Sequence, residues 1–129
     1  MLVNDIHDKL FNEWSESIID DEVRAAFWYL VGLSACLNSH ECRIQRKGEI
    51  RDFRFYERGG EQPFSFITNQ QWLLFYFQPP AIRSGRYSKE RLLELFDSFK
   101  ENPDGEWTVK IRSVGDADCV AKYLGWVKS

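Results

Sequence analysis

The first forty residues carry the hydrophobic spacing of two helices. Apolar positions at intervals of four, one and three residues share one helical face, and they are Ile6, Leu10, Phe11 and Trp14. A second helix is predicted from about Asp21, and residues 25–37 of it contain no charged side chain. Because a helix that is apolar on every side has to be covered on every side, we expect residues 25–37 to form a central core helix or a subunit interface.

The middle of the chain changes to the alternating pattern of β-strands. Strands are predicted over residues 41–47, 49–58, 64–68 and 72–77. In the second of these, Phe53 and Phe55 alternate with polar side chains, so we expect the phenylalanines in the core and Arg54 in water. The run 72–77 is entirely apolar and precedes Pro79, which predicts a central strand buried on both faces.

The last third returns to helices around one more strand. A helix is predicted to begin at Ser88 with an apolar stripe that reaches Phe99, a strand to run over residues 107–112, and a final helix to carry Val120 and Tyr123 on one face. The order of elements predicts an α+β fold. It has two N-terminal helices, a mostly antiparallel sheet of four to five strands, and two C-terminal helices on one face.

All 129 residues are expected to form a single domain, since the length suits one hydrophobic core. Aromatic residues make up 16% of the chain, which argues against disorder. The core is predicted to include Trp28, Leu30, Leu74, Tyr76, Phe96 and Trp107.

Composition also limits the cellular context. No stretch approaches the roughly 20 apolar residues of a membrane span, and residues 1–8 lack the basic and apolar regions of a signal peptide. The three cysteines are an odd number, which favours free thiols in a reducing cytoplasm. We therefore expect a cytoplasmic protein that does not enter a membrane.

Charge is distributed unevenly, and it suggests two alternative binding faces. Residues 1–40 are acidic, whereas residues 41–60 are basic, although the whole chain has a net charge of −3. The basic face would suit phosphates or an acidic partner, and its residues are Arg54, Arg58, Arg83 and Arg86. The acidic face would suit a basic protein, and its residues are Asp5, Asp8, Glu13 and Glu16.

Candidate catalytic and metal-binding groups are few. Cys36, His40 and Cys42 lie close together, but their spacing does not fit a zinc site, so we expect no metal and no cofactor. Glu41, Glu49 and Asp52 could meet across a hairpin as in a metal-dependent nuclease. Nearby arginines on the paired strand favour a salt-bridged sheet face instead.

The leading hypothesis is a non-enzymatic interaction module. It would bind a larger macromolecule, most simply a protein, as an inhibitor, immunity or regulatory protein does; small phage and bacterial anti-defence proteins share this profile in size and charge alone. Homodimerisation through residues 25–37 is expected as well. The first alternative is a nucleic-acid-binding module that uses the basic hairpin and the loop with Arg83 and Arg86, and the second is the nuclease.

Overall fold

The computed structural model describes residues 1–2, 8–48 and 50–128. These residues form five helices and six strands. The helices are α1 (Asp8–Ser17), α2 (Asp21–Cys36), α3 (Pro79–Arg83), α4 (Lys89–Leu95) and α5 (Val114–Tyr123). The strands are β1 (Glu41–Lys47), β2 (Ile50–Tyr56), β3 (Phe64–Thr68), β4 (Leu73–Phe77), β5 (Lys100–Glu101) and β6 (Trp107–Ile111). The α+β class predicted from the sequence is confirmed.

The six strands form one sheet in the order β1-β2-β3-β4-β6-β5, and each pairing between neighbouring strands is antiparallel. The register sets Phe53 opposite Phe66 and Phe66 opposite Phe75. Since facing residues of an antiparallel pair point to the same side, these rings form an aromatic layer on one face. Phe53 and Phe66 stack with their centroids 4.9 Å apart.

The long helices pack against this aromatic layer. Phe27 of α2 meets Phe66 edge-on at 6.3 Å, and Phe11 of α1 lies 6.3 Å from Phe53. The hydroxyl of Tyr29 donates to Oδ1 of Asp118 at 2.7 Å, which joins α2 to α5. Burial, together with the hydrogen bond to Asp118, raises the pKa of Tyr29 to about 12. One face of the sheet therefore holds the hydrophobic core.

Within one chain, helix α2 is buried along one side only, so it is not a fully enclosed core helix, and the alternative expectation of a subunit interface stays a prediction. Its core side chains are Val23, Ala26, Phe27, Leu30, Val31 and Ser34. Positions 25, 32, 35 and 36 face solvent, and Trp28 is 40% exposed. The exposed positions are mainly small residues, which lose little free energy in contact with water.

Strand β4 is also buried on one face rather than on two. Leu73, Phe75 and Phe77 are buried, while Leu74 and Tyr76 are only half-buried on the opposite side. Of the predicted core, Leu30, Phe96 and Trp107 are confirmed, whereas Trp28, Leu74 and Tyr76 lie outside it.

The remaining differences from the sequence prediction are small elements. The segment predicted as a loop after β4 begins with the single turn α3, and α4 ends at Leu95 rather than continuing towards Phe99. The two-residue strand β5 brings the sheet to six strands. Within residues 8–48 and 50–128, no helix is both long and apolar enough to cross a membrane.

Candidate functional site

The face of the sheet opposite the aromatic layer is partly accessible to solvent, and we call it the open face. It is built from the strand positions that alternate with the core positions. One row across the sheet consists of Arg43, Arg54, Ser65, Tyr76 and Thr108. The neighbouring row consists of Gln45, Asp52, Ile67, Leu74 and Lys110. Ser65 and Thr108 are buried in this face, and Ile67, Leu74 and Tyr76 are half-buried.

The arginines of the open face are matched by carboxylates on their own strands. Nε of Arg54 lies 2.7 Å from Oδ2 of Asp52, and both side chains are largely shielded from solvent. Nη2 of Arg43 lies 3.4 Å from Oε2 of Glu41, and its guanidinium sits 5.7 Å from the ring centroid of Tyr56. The predicted salt-bridged sheet face is therefore present, but the pairs run along one strand, two residues apart, rather than across the hairpin.

Three carboxylates are near enough to Tyr76, on the β4–β6 side of this face, to affect its pKa. The pKa of Glu106 is raised by burial first, then by its hydrogen bond to Asp104 and the charge of that residue. Burial also raises the pKa of Tyr76, and the charges of Glu106, Asp52 and Asp104 raise it further. These shifts mark a locally negative region beside a half-exposed tyrosine.

Aromatic and aliphatic groups complete the open face. The ammonium of Lys110 lies 4.2 Å from the ring centroid of Trp72, within the range of a cation–π interaction. Oδ1 of Asp52 is closed to solvent and has no hydrogen-bond partner among the described residues. The open face thus combines tyrosine, tryptophan, arginine and aliphatic side chains in a well-paired surface.

The four residues of the predicted basic face do not form one patch. Arg54 belongs to the open face, whereas Arg58 lies in the turn that follows β2. Arg83 and Arg86 line a separate cavity of about 410 Å³ together with Glu57 and Glu61. The Arg83 guanidinium lies 3.3 Å from the Glu61 carboxylate, so part of the positive charge at this end is neutralised.

The predicted acidic face is described only in part. Glu13 and Glu16 are exposed on α1, as expected for a solvated helix surface. Asp8 begins that helix, and Asp5 lies outside the described residues.

The residues considered for a nuclease do not converge. Glu41 pairs with Tyr56 while Asp52 pairs with Gln45, so the backbone positions of the two acidic residues are about 14 Å apart along neighbouring strands. Glu49 lies outside the described residues. Across the described ranges, no three His, Cys, Asp or Glu side chains are placed to hold a metal ion.

The cysteines also occupy three different environments. Cys42 is a buried free thiol, and burial raises its pKa, while Cys36 is exposed at the end of α2. A thiolate nucleophile needs a lowered pKa, so neither geometry nor protonation supports Cys42 as one.

No protein-family model, curated protein or solved structure matches the chain. The open face was missed in the sequence because its residues come from separate strands. One sequence signal could have indicated it. In β3, Ser65 and Ile67 alternate with the phenylalanines, which indicates a second face of the sheet that is not purely apolar.

Proposed function

We propose that this protein is a non-enzymatic interaction module that binds a protein partner through its open face. The observation that carries the proposal is the open face itself, where half-exposed Tyr56, Tyr76 and Leu74 lie among ordered arginines. Tyrosine, tryptophan and arginine are the residues most enriched at the energetic centres of protein interfaces. The module would act as an inhibitor, an immunity protein or a regulatory protein.

The charges of the open face favour a protein over nucleic acid. Nucleic-acid binding depends on unpaired cations that displace counterions from phosphates. Here Arg54 is paired closely with Asp52, Arg43 makes a longer contact with Glu41, and the Tyr76 end of the face is negative. The complementary partner surface presents apolar groups to Tyr76 and Leu74 and a lysine or arginine to Glu106.

Affinity capture with matched variants tests this proposal. The wild-type protein is used to recover a partner from a nuclease-treated lysate, the partner is identified by mass spectrometry, and its affinity is then measured by calorimetry. We expect Tyr76→Ala to weaken binding by at least about tenfold, as for a central interface residue. Glu106→Gln should weaken it as well, whereas Glu94→Gln on the exposed surface of α4 should leave it unchanged.

Two results would contradict the proposal. If nuclease treatment removes all binding, the partner is a nucleic acid and the first alternative is correct. If Tyr76→Ala and Glu106→Gln both bind the identified partner as tightly as wild type, the open face is not the contact surface. Circular dichroism on each variant confirms that the fold is retained.

We also propose that the protein forms a homodimer through residues 25–37. The support is the outward surface of α2, where uncharged positions 25, 32 and 35 and part of Trp28 are exposed. A twofold dimer, the commonest oligomer, would pair this surface with the same surface of a second copy. Light scattering at tens of micromolar should give twice the 15.3 kDa chain mass. Ala35→Glu should return it to the monomer, and a monomeric wild type would end this proposal.

The proposed place of action is the cytoplasm. Support comes from the free thiols of Cys36, Cys42 and Cys119, which are compatible with a reducing compartment. Fractionation of the expressing cells, followed by immunodetection, tests this placement.

A further inference from the structure

A second cavity, of about 480 Å³, lies where the chain enters β1 and leaves β2. Its walls come from the segment before β1, from side chains of β1 and β2, and from the turn after β2. The polar groups on these walls that can recognise a ligand are Ser39, His40, Arg43, Glu57 and Arg58. Tyr76 and Glu106, which test the protein-binding proposal, do not line this cavity.

His40 is the central feature of the cavity wall. Its side chain is only 9% exposed, and its ring packs against Phe64 and Trp126 with centroids 6.0 and 5.7 Å away. Nδ1 lies 2.8 Å from Oγ of Ser39, while Nε2 has no hydrogen-bond partner in the described part of the chain. Buried polar atoms are normally satisfied by protein, water or ligand.

Nε2 is closed to solvent, and the Glu57 carboxylate is the charged group beside it. Oε1 of Glu57 lies 3.8 Å from Nε2, which is too long for a hydrogen bond. Burial lowers the pKa of His40, against the opposing effect of Glu57, and so favours the neutral imidazole. In the tautomer that carries the hydrogen on Nε2, Ser39 Oγ donates to Nδ1, and the Nε2–H group is on the side of the Glu57 carboxylate.

A hydroxyl group matches this pair of atoms. One oxygen can accept from Nε2–H and donate to the carboxylate, because a hydroxyl is both a donor and an acceptor. Because Nε2 is closed to solvent, a ligand oxygen reaches it only when the Glu57 side chain moves aside, and ordinary hydrogen-bond lengths then let that oxygen contact both atoms. Glu57 is half-exposed, so its side chain can adjust to admit that oxygen.

Two arginines supply a site for an anion on the same cavity. Arg58 is exposed and forms no ion pair with any described residue. Arg43 makes only the long 3.4 Å contact with Glu41. Guanidinium groups bind phosphate oxygens in a bidentate manner. Gly59, next to Arg58, has a φ of 97°. A side-chain Cβ placed on this glycine would meet no atom within 4 Å, so a ligand can approach the backbone here.

We propose that this cavity binds a small phosphorylated sugar, whose hydroxyl bridges His40 and Glu57 and whose phosphate contacts Arg58 and Arg43. Binding of this ligand would make the interaction module responsive to a small molecule. The cavity shares Arg43 and Tyr56 with the open face, but Tyr76, Leu74 and Glu106 do not line it, so the two proposals can fail separately.

Calorimetry with ribose 5-phosphate tests the proposal, with ribose and inorganic phosphate as partial probes. Ribose 5-phosphate should bind at least about tenfold more tightly than either partial probe, because only it fills both subsites. Arg58→Ala and Glu57→Ala should each weaken binding by about tenfold or more, and both positions are exposed, so the variants should fold. Arg83→Ala and Glu61→Ala, an exposed pair in the neighbouring cavity, are the matched controls and should bind as wild type does.

Nitrogen NMR of the histidine ring gives a second measurement. Binding of ribose 5-phosphate should shift the Nε2 resonance of His40, while inorganic phosphate should shift it much less. Absence of binding at 10-millimolar concentrations overturns the proposal. Equal affinity for inorganic phosphate, or unchanged affinity in both Arg58→Ala and Glu57→Ala, overturns it as well.

Discussion

At the residue scale, Trp28 and Trp107 show that an aromatic ring in an apolar sequence can end in two different environments. Trp107 is 6% exposed in β6, where it meets Phe99 edge-on at 5.9 Å. Trp28 lies at the border of α2, and its Nε1 donates to Oγ of Ser15 at 2.8 Å. Both were predicted to be core residues, but Trp28 lies at the edge of the buried side of α2, so one side of its ring contacts solvent.

The two tryptophans should differ in their contribution to stability. Trp107→Ala removes a buried ring and should lower the free energy of unfolding by about 3–5 kcal/mol. Trp28→Ala should cost roughly half as much, since part of the ring already contacts water. Urea denaturation of both variants measures the difference. Equal losses of unfolding free energy in the two variants would show that the exposed part of Trp28 does not reduce its contribution to stability.

His40 should make stability depend on pH. Burial lowers its pKa in the folded protein, against the opposing charge of Glu57 and with a further lowering by the Met1 ammonium. As the pH falls, the His40 imidazole is therefore protonated near pH 6.5 in the unfolded chain and only at lower pH in the folded chain. The free energy of unfolding should fall as pH decreases below about 6.5, with a slope of at most about 1.4 kcal/mol per pH unit.

Denaturation of wild type and His40→Gln across pH 5–8 tests this dependence. The variant should lose the part of the slope that His40 contributes, while its stability at pH 8 changes only through packing. Identical slopes in the two proteins would show that His40 does not carry the effect.

At the element scale, alternation along strands predicted more than the absence of charge along helices did. The pattern around Phe53 and Phe55 placed these rings in the core correctly, because period-two alternation directly reports the two faces of a strand. The uncharged run 25–37 was less informative. Alanine and glycine are compatible with either environment, so their presence on α2 did not require burial on all sides.

The candidate sites were harder to predict for a physical reason. The open face depends on register, which aligns Arg54 with Ser65 and Ser65 with Tyr76, and a shift of one residue would reverse every face. The cavity at His40 joins residues from two segments around β1 and β2. Strand β5, with two residues, carries no periodic signal at all.

The start of α2 lies at Asp21, as the sequence predicted, and a local side-chain contact fixes it. Asp20 caps the helix, with Oδ1 accepting from the backbone N–H groups of Glu22 and Val23 at 2.9 and 3.1 Å. Asp20→Ala should lower the free energy of unfolding by about 1 kcal/mol. Asp20→Asn keeps a side-chain oxygen that can accept these hydrogen bonds, so it should lower the free energy of unfolding by only a few tenths of about 1 kcal/mol. Thermal or urea unfolding of the two variants decides whether the cap contributes as the geometry indicates.

At the scale of the whole molecule, charge is divided among surfaces that can be tested separately. The end that carries Arg83 and Arg86 is partly neutralised by Glu61, and the helix α1 presents Glu13 and Glu16. The open face lies on the sheet, and its arginines are paired internally. Mutations of rim charges act mainly on the association rate, whereas truncation of a central contact acts on dissociation.

Binding kinetics can therefore separate the charged ends from the open face. If the partner docks on the open face, Tyr76→Ala should accelerate dissociation by about tenfold. The double reversal Arg83→Glu with Arg86→Glu should then change the association rate by less than about threefold, and so should Glu13→Lys with Glu16→Lys. Surface plasmon resonance at two salt concentrations provides both rates. A tenfold slower association in the arginine double variant, with unchanged dissociation in Tyr76→Ala, would instead assign binding to the Arg83–Arg86 end, because long-range attraction by those cations would then govern the encounter.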